Sequence, residues 1–189
     1  MAKCEYLIAQ DIQANCAQPI FTGLEPIGYI INRNDIKGII EADGIVSSIS
    51  LKAGKKAYQI QQMGQQPFNG TNSEMQQGDV MNTVNKVVSF IVLDNSPSVS
   101  EDIIKPMLNG EFVVIIENKY RVDASENAFE IIGLDKGARA TNVTQNKYEN
   151  NAGWVCELTE SETPNPSKFV WDTDYDTTAA MLEGLLTTA

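Results

Sequence analysis

The sequence contains no histidine. That removes Ser-His and Cys-His nucleophile pairs and His-ligated metal sites, and with them most common hydrolase chemistry. Its three cysteines, Cys4, Cys16 and Cys156, are an odd count without a C-x-x-C pair. This argues against a disulfide framework and a zinc knuckle, and the thiols read as small hydrophobes made in a reducing compartment. No apolar run approaches the roughly 20 residues that span a bilayer, and no charged-then-apolar leader opens the chain, so a soluble protein without an address is expected. Cations are scarce: 14 Lys and Arg stand against 25 Asp and Glu, a formal charge of -11. Binding to nucleic acid through phosphate neutralisation is therefore disfavoured.

The acidic surplus is uneven. Residues 1–95 carry 7 basic and 9 acidic side chains, whereas residues 96–189 carry 7 and 16. A rim built by the second half is expected to be strongly negative. With 189 residues, one domain over residues 1–189 is expected, burying roughly two thirds of its unfolded surface without disulfide or metal.

The organising stretch is Glu111 to Leu134, EFVVIIENKYRVDASENAFEIIGL. Two strand-forming runs, Phe112 to Val122 and Ala128 to Leu134, flank the turn-rich residues 123–127 and predict a long hairpin. Phe112, Val114 and Ile116 share one face of its first strand, and Val113 and Ile115 share the other. Such a strand is covered on both sides. Beyond Ile116 it becomes polar at Glu117, Asn118, Lys119 and Arg121, so its far end is expected in water or against a partner. Residues 45–51 and 56–63 flank Lys52-Ala53-Gly54-Lys55 and read as a second hairpin. Short strands are expected at residues 4–9 and 28–32, with a neighbouring strand continuing at 38–41 and Asp43-Gly44 as punctuation. Residues 80–93 read as a long strand stopped by Pro97. Ser98 and Glu101 have capping-box spacing before an apolar stripe, in a helix that Pro106 should shorten or kink. Residues 137–151 read as irregular, 153–158 as a last strand, and the chain from Thr173 as a helix, with Thr173 and Asp176 at capping-box spacing and Ala179, Leu182 and Leu186 on one stripe. The sum is a mainly β fold with two helices and no βαβ alternation, a sandwich or barrel decorated with helices. The segment 61–79, QQMGQQPFNGTNSEMQQGD, is the least core-like; it reads as a polar loop in which only Met63, Phe68 and Met75 can bury much surface.

Chemical motifs are few. Asp172, Asp174, Asp176 and Glu183 occupy the first, third, fifth and twelfth positions of an EF-hand loop, a calcium candidate. Thr177 stands where that loop needs glycine, and the same acids serve a helix N-terminus equally well. Gly54-Lys55-Lys56 lacks the upstream glycine and following hydroxyl of a phosphate loop. Glu117, Asp123, Glu126 and Glu130 read as the solvated acids of a hairpin rather than an acid/base pair, and Trp154 and Trp171 read as core. No catalytic residue and no cofactor is expected.

Several phrases resemble tail tube proteins, virion structural proteins of tailed phages that infect gut Bacteroides-like bacteria. They are Gly23-Leu24 with Ile30-Ile31-Asn32-Arg33-Asn34-Asp35, Leu51-Lys52-Ala53-Gly54-Lys55-Lys56-Ala57-Tyr58, Val92-Leu93-Asp94-Asn95-Ser96-Pro97, Glu117-Asn118-Lys119, and Thr173-Asp174-Tyr175. The resemblance implies a mainly β sandwich or half-barrel subunit with one or two flanking helices and long hairpins, in hexameric rings stacked into a conduit for double-stranded DNA. It implies synthesis in the host bacterial cytoplasm, other virion tail proteins as partners, and no membrane. The candidate assembly residues are then Lys52, Lys55 and Lys56, which could meet a carboxylate rim of a neighbouring copy. Gln61, Phe68, Met75 and Asp79 belong to the 61–79 segment read as an inter-subunit limb, and Lys119, Arg121, Asp123 and Glu126 to the far end of the central hairpin. A head-to-tail connector is the alternative within virions, and a carbohydrate-binding β-sandwich the alternative from another class.

Overall fold

A computed structural model describes residues 7, 8, 10–12, 22–61, 66–121 and 126–188. The expected first strand at residues 4–9 falls largely outside the described residues, as do Cys4, Cys16, Met63 and Asp123. Eleven strands among the described residues form two sheets. They are β1 (Leu24–Asn32), β2 (Ile36–Ala42), β3 (Ile45–Leu51), β4 (Tyr58–Gln61), β5 (Phe68–Gln76), β6 (Thr83–Val92), β7 (Phe112–Asn118), β8 (Phe129–Ile132), β9 (Arg139–Gln145), β10 (Trp154–Thr163) and β11 (Lys168–Val170). One sheet has seven strands in the order β2-β3-β11-β8-β7-β1-β4; the other has four, β5-β6-β10-β9. Neither closes into a barrel, and the fold is mainly β and sandwich-like.

The two-faced strand lies where its sequence demands. Phe112, Val114 and Ile116 of β7 pack into a core shared with Val88, Phe90, Cys156 and Leu158 of the four-stranded sheet. Val113 and Ile115 belong to a second core, on the opposite face of the seven-stranded sheet, with Leu182 of the C-terminal helix. That helix, α3 (Tyr175–Gly184), starts at Asp174, whose carboxylate accepts from the Thr177 N–H at 2.7 Å. Leu182 is buried on its inner face, with Ala179 and Leu186 packed beside it. A helical segment over residues 97–107 consists of α1 (Pro97–Val99), a π-helical turn (Ser100–Ile104) and α2 (Lys105–Met107). Its cap is Ser96, two residues before the expected one, with Pro97 in the first turn where a missing N–H costs nothing. The π-helical turn ends at Ile104, two residues before Pro106, in keeping with the expected kink.

The packing corrects three readings. The hairpin expected between residues 45–51 and 56–63 does not form: β3 pairs with β2 across Asp43-Gly44, while β4 crosses to pair with β1. Asp43 and Gly44 both have positive φ, 51° and 81°, so the dipeptide read as punctuation is the two-residue hairpin turn. Residues 139–145, expected to be irregular, form β9 on β10. Residues 68–76 of the 61–79 segment are likewise β5, paired along its length with β6 rather than looped. Both strands sit on an edge and are largely wet, which is why polar residues suffice there. Gly28 of β1 lies tight against the Phe68 ring of the other sheet: a Cβ there would lie 2.5 Å from that ring and 2.9 Å from the Ile115 carbonyl oxygen of neighbouring β7.

Candidate functional site

The chemically distinctive surfaces are the edges of the two sheets that no strand among the described residues covers. The seven-stranded sheet ends in β2 and β4, the four-stranded sheet in β5 and β9. Strand β2, IKGIIEA, is exposed along all but its first residue, and Ile39 and Ile40 are 37% and 65% exposed although they point to opposite faces. Its charges stand at Lys37 and Glu41, leaving Gly38-Ile39-Ile40 uncharged between them. Met75, Val80 and Met81 at the β5–β6 turn are also exposed. Beside β4, a cavity of about 440 Å³ opens between the sheets against the 97–107 helical segment, lined by Ile30, Tyr58, Ile60, Phe90, Ile103 and Met107 among others.

The sequence-derived assembly residues fall in different places. Lys52 bonds to the Asn34 carbonyl. Lys55 pairs with Asp35 at 3.3 Å, and Lys56 stands over the Tyr58 ring at 5.5 Å. The Asp35 carboxyl is held below its ordinary pKa by the Asn32 amide and, with it, Lys55. Gln61, Met75, Asp79, Lys119 and Glu126 are exposed. Phe68 is not available to a partner: it is buried edge-to-face on Phe90 inside the sandwich. Arg121 turns back on its own chain, pairing with Glu117 and lying 4.6 Å over the Tyr175 ring. Asp172, Asp174, Asp176 and Glu183 do not converge; among the described residues no three potential acidic or thiol ligands gather as a metal site. Trp154 and Trp171 are both half-buried.

Glu117 anchors α3 to the central strand. It accepts from the Tyr175 hydroxyl at 2.6 Å, and the Tyr175 ring stacks on Phe129 at 5.5 Å. Burial, followed by Glu117, raises the Tyr175 pKa. The neighbouring Tyr29 phenol is pushed up to about 12 by burial and by the charges of Glu183 and Glu117.

Two ionic clusters escaped the sequence reading. Lys86 of β6 and Glu160 of β10, each 1% exposed, pair at 3.3 Å inside the sandwich. Glu160 also accepts the backbone N–H groups of Gly133 at 2.9 Å, Asp135 at 2.8 Å and Lys136 at 2.9 Å. Lys168 of β11 meets Asp135 at 2.5 Å and Glu41 at 2.8 Å. The signal for the first was present: Lys86 alternates with Val88 and Phe90, and Glu160 with Cys156 and Leu158, so each is a lone charge on an apolar strand face. Nothing local announces the second.

No protein-family model matches the chain, and neither the curated proteins nor the solved structures compared with it provide a match. No helix among the described residues is long and apolar enough to cross a membrane.

Proposed function

We propose that this chain is a structural virion protein, a tail tube subunit whose copies join edge to edge into stacked rings that conduct double-stranded DNA. The observation that carries the reading is β2, an edge strand exposed on both faces with two large aliphatic side chains between its charges. A lone protein that leaves such an edge bare offers a template for another chain. Each sheet has two unlike free edges, so successive copies can join β2 to β4 and β5 to β9. That contact is heterologous and generates a closed ring when the rotation closes. The four-stranded sheet fits the lumenal role. Its outward face presents Asn72, Glu74, Asn85, Ser89, Asn142, Glu157 and Thr159 around half-buried Val87, Ile91 and Val155, with Arg139 among its few cations. A wall of neutral side chains and carboxylates, on a chain of net charge -11, gives a phosphate backbone little to hold. The segment around β5, read from sequence as a limb, takes part in this scheme through the outer edge of its strand.

Size measurement and negative-stain imaging of the purified chain test the reading. The wild type is expected to form rings or tubes, and Ile40→Lys to remain a folded monomer with an unchanged unfolding midpoint. A wild-type chain that stays monomeric at every concentration overturns it.

A further inference from the structure

We propose that Lys168 and Asp135 form an intramolecular isopeptide bond, with Glu41 carrying the proton that must leave the attacking nitrogen. The inference does not depend on the tube reading. It rests on three side chains brought together from distant parts of the chain. The Lys168 Nζ lies 2.5 Å from Asp135 Oδ1, 2.8 Å from Glu41 Oε1 and 3.1 Å from Glu41 Oε2, and Lys168 is only 5% exposed. Three features distinguish this group from a plain ion pair. One amine faces two carboxylates, so one can react while the other moves protons. The second oxygen of Asp135, Oδ2, is buried with no hydrogen-bond partner, and a buried acceptor left unmatched is costly. The backbone of Asp135 is also fixed, because its N–H donates to Glu160 at 2.8 Å, which holds the β8–β9 turn in place beside β11.

The buried pair Lys86–Glu160 provides the contrast. There the lysine meets one carboxylate at 3.3 Å, and both oxygens of that carboxylate are engaged by backbone N–H groups. Among the described residues Lys86 has no second acid as partner, and neither oxygen of Glu160 is without one.

The chemistry balances without oxidant or cofactor. Lys168 passes one ammonium proton to Asp135 across their short contact, giving a free amine beside a carboxylic acid. The Nζ lone pair attacks Cγ of Asp135. Glu41 takes a second proton from the nitrogen and delivers it to the departing hydroxyl, the C–O bond breaks, and water leaves. The third proton remains on the new amide, and Glu41 ends as the carboxylate it began. Burial alone would lower the Lys168 pKa, but the hydrogen bonds to Asp135 and Glu41 outweigh it and raise the value. The amine is therefore freed only by transfer within the cluster, which is the task that a second carboxylate performs. The bond would close residues 135–168 into a covalent loop containing β9 and β10, half of the four-stranded sheet.

Mass spectrometry of the folded full-length chain tests this directly. The wild type is expected to be lighter by one water, and a tryptic digest to contain residues 122–136 joined to residues 148–189. Glu41→Gln, which keeps the contact but cannot accept a proton, is expected to retain its full mass while remaining folded by circular dichroism; Lys168→Arg likewise retains its full mass. A wild-type chain of full mass after prolonged incubation overturns the proposal, as does a lost water without the joined peptide, the signature of a succinimide. Water loss from Glu41→Gln at the wild-type rate overturns the role of Glu41.

Discussion

Replacing Glu160 by leucine is the severest single test of how the sandwich is held together. The substitution leaves the Lys86 ammonium, 1% exposed, without its partner, and breaking a buried ion pair from one side costs about 3–5 kcal/mol. It also strips an acceptor from three backbone N–H groups. The Gly133 N–H lies in a buried contact, and an unmatched donor there costs about 1–3 kcal/mol. The Asp135 and Lys136 N–H groups are part-buried, and water can take up some of their loss. The sum, about 4–8 kcal/mol, is comparable with the whole stability of a typical domain, ~5–15 kcal/mol. Lys86→Met keeps all three N–H bonds to Glu160 and should cost about 3 kcal/mol, near the low end for a broken pair. Equilibrium urea unfolding followed by the fluorescence of half-buried Trp154 and Trp171 measures both. Equal losses for the two variants, or less than about 1 kcal/mol for Glu160→Leu, would refute the view that Glu160 organises the turn as well as neutralising the lysine.

Gly28→Ala is expected to destabilise by about 1–3 kcal/mol in the same assay, because its Cβ would meet the Ile115 carbonyl, which cannot move aside as the Phe68 ring can. Tyr175→Phe removes the hydroxyl that donates to Glu117 at 2.6 Å and should cost about 1.5–3 kcal/mol, as expected for a bond to a charged acceptor; an unchanged midpoint would show that packing holds α3 without that bond. The buried Cys156 thiol, pushed up to about 12 by desolvation, should resist alkylation at neutral pH in the folded chain and react on unfolding, as peptide mapping would record. Asp35 and Asp174 are both held below the ordinary 3.8, the first chiefly by Asn32 and the second by the Thr177 N–H. Their contribution is complete above that pH and is lost as pH falls below it through their folded values, so Asp174→Asn should flatten the acid loss of helical signal.

The central strand was legible because its constraint is local. Five apolar residues in a row, alternating between two faces, need cover on both sides, and β7 has it. Thr173 with Asp176 and the stripe of Leu182 and Ala179 similarly announced α3, although the cap is Asp174, one residue beyond Thr173. The polar edge strands β5 and β9 were illegible, since an edge buries little and so imposes little periodicity. Pairing was harder still. Asp43-Gly44 and Lys52-Ala53-Gly54-Lys55 are both competent turns, and only long-range packing decided that β3 turns back on β2 and pairs parallel with β11.

By itself the sequence determined composition, charge and the strand-versus-helix character of its strongly patterned segments. These follow from short-range sterics and the burial of neighbouring side chains. Tertiary structure alone decided which edges stay open and which charges meet. Lys86 finds Glu160 across 74 positions and Lys168 finds Glu41 across 127. No spacing rule reaches that far, because such contacts depend on the order in which strands are laid into the sheets.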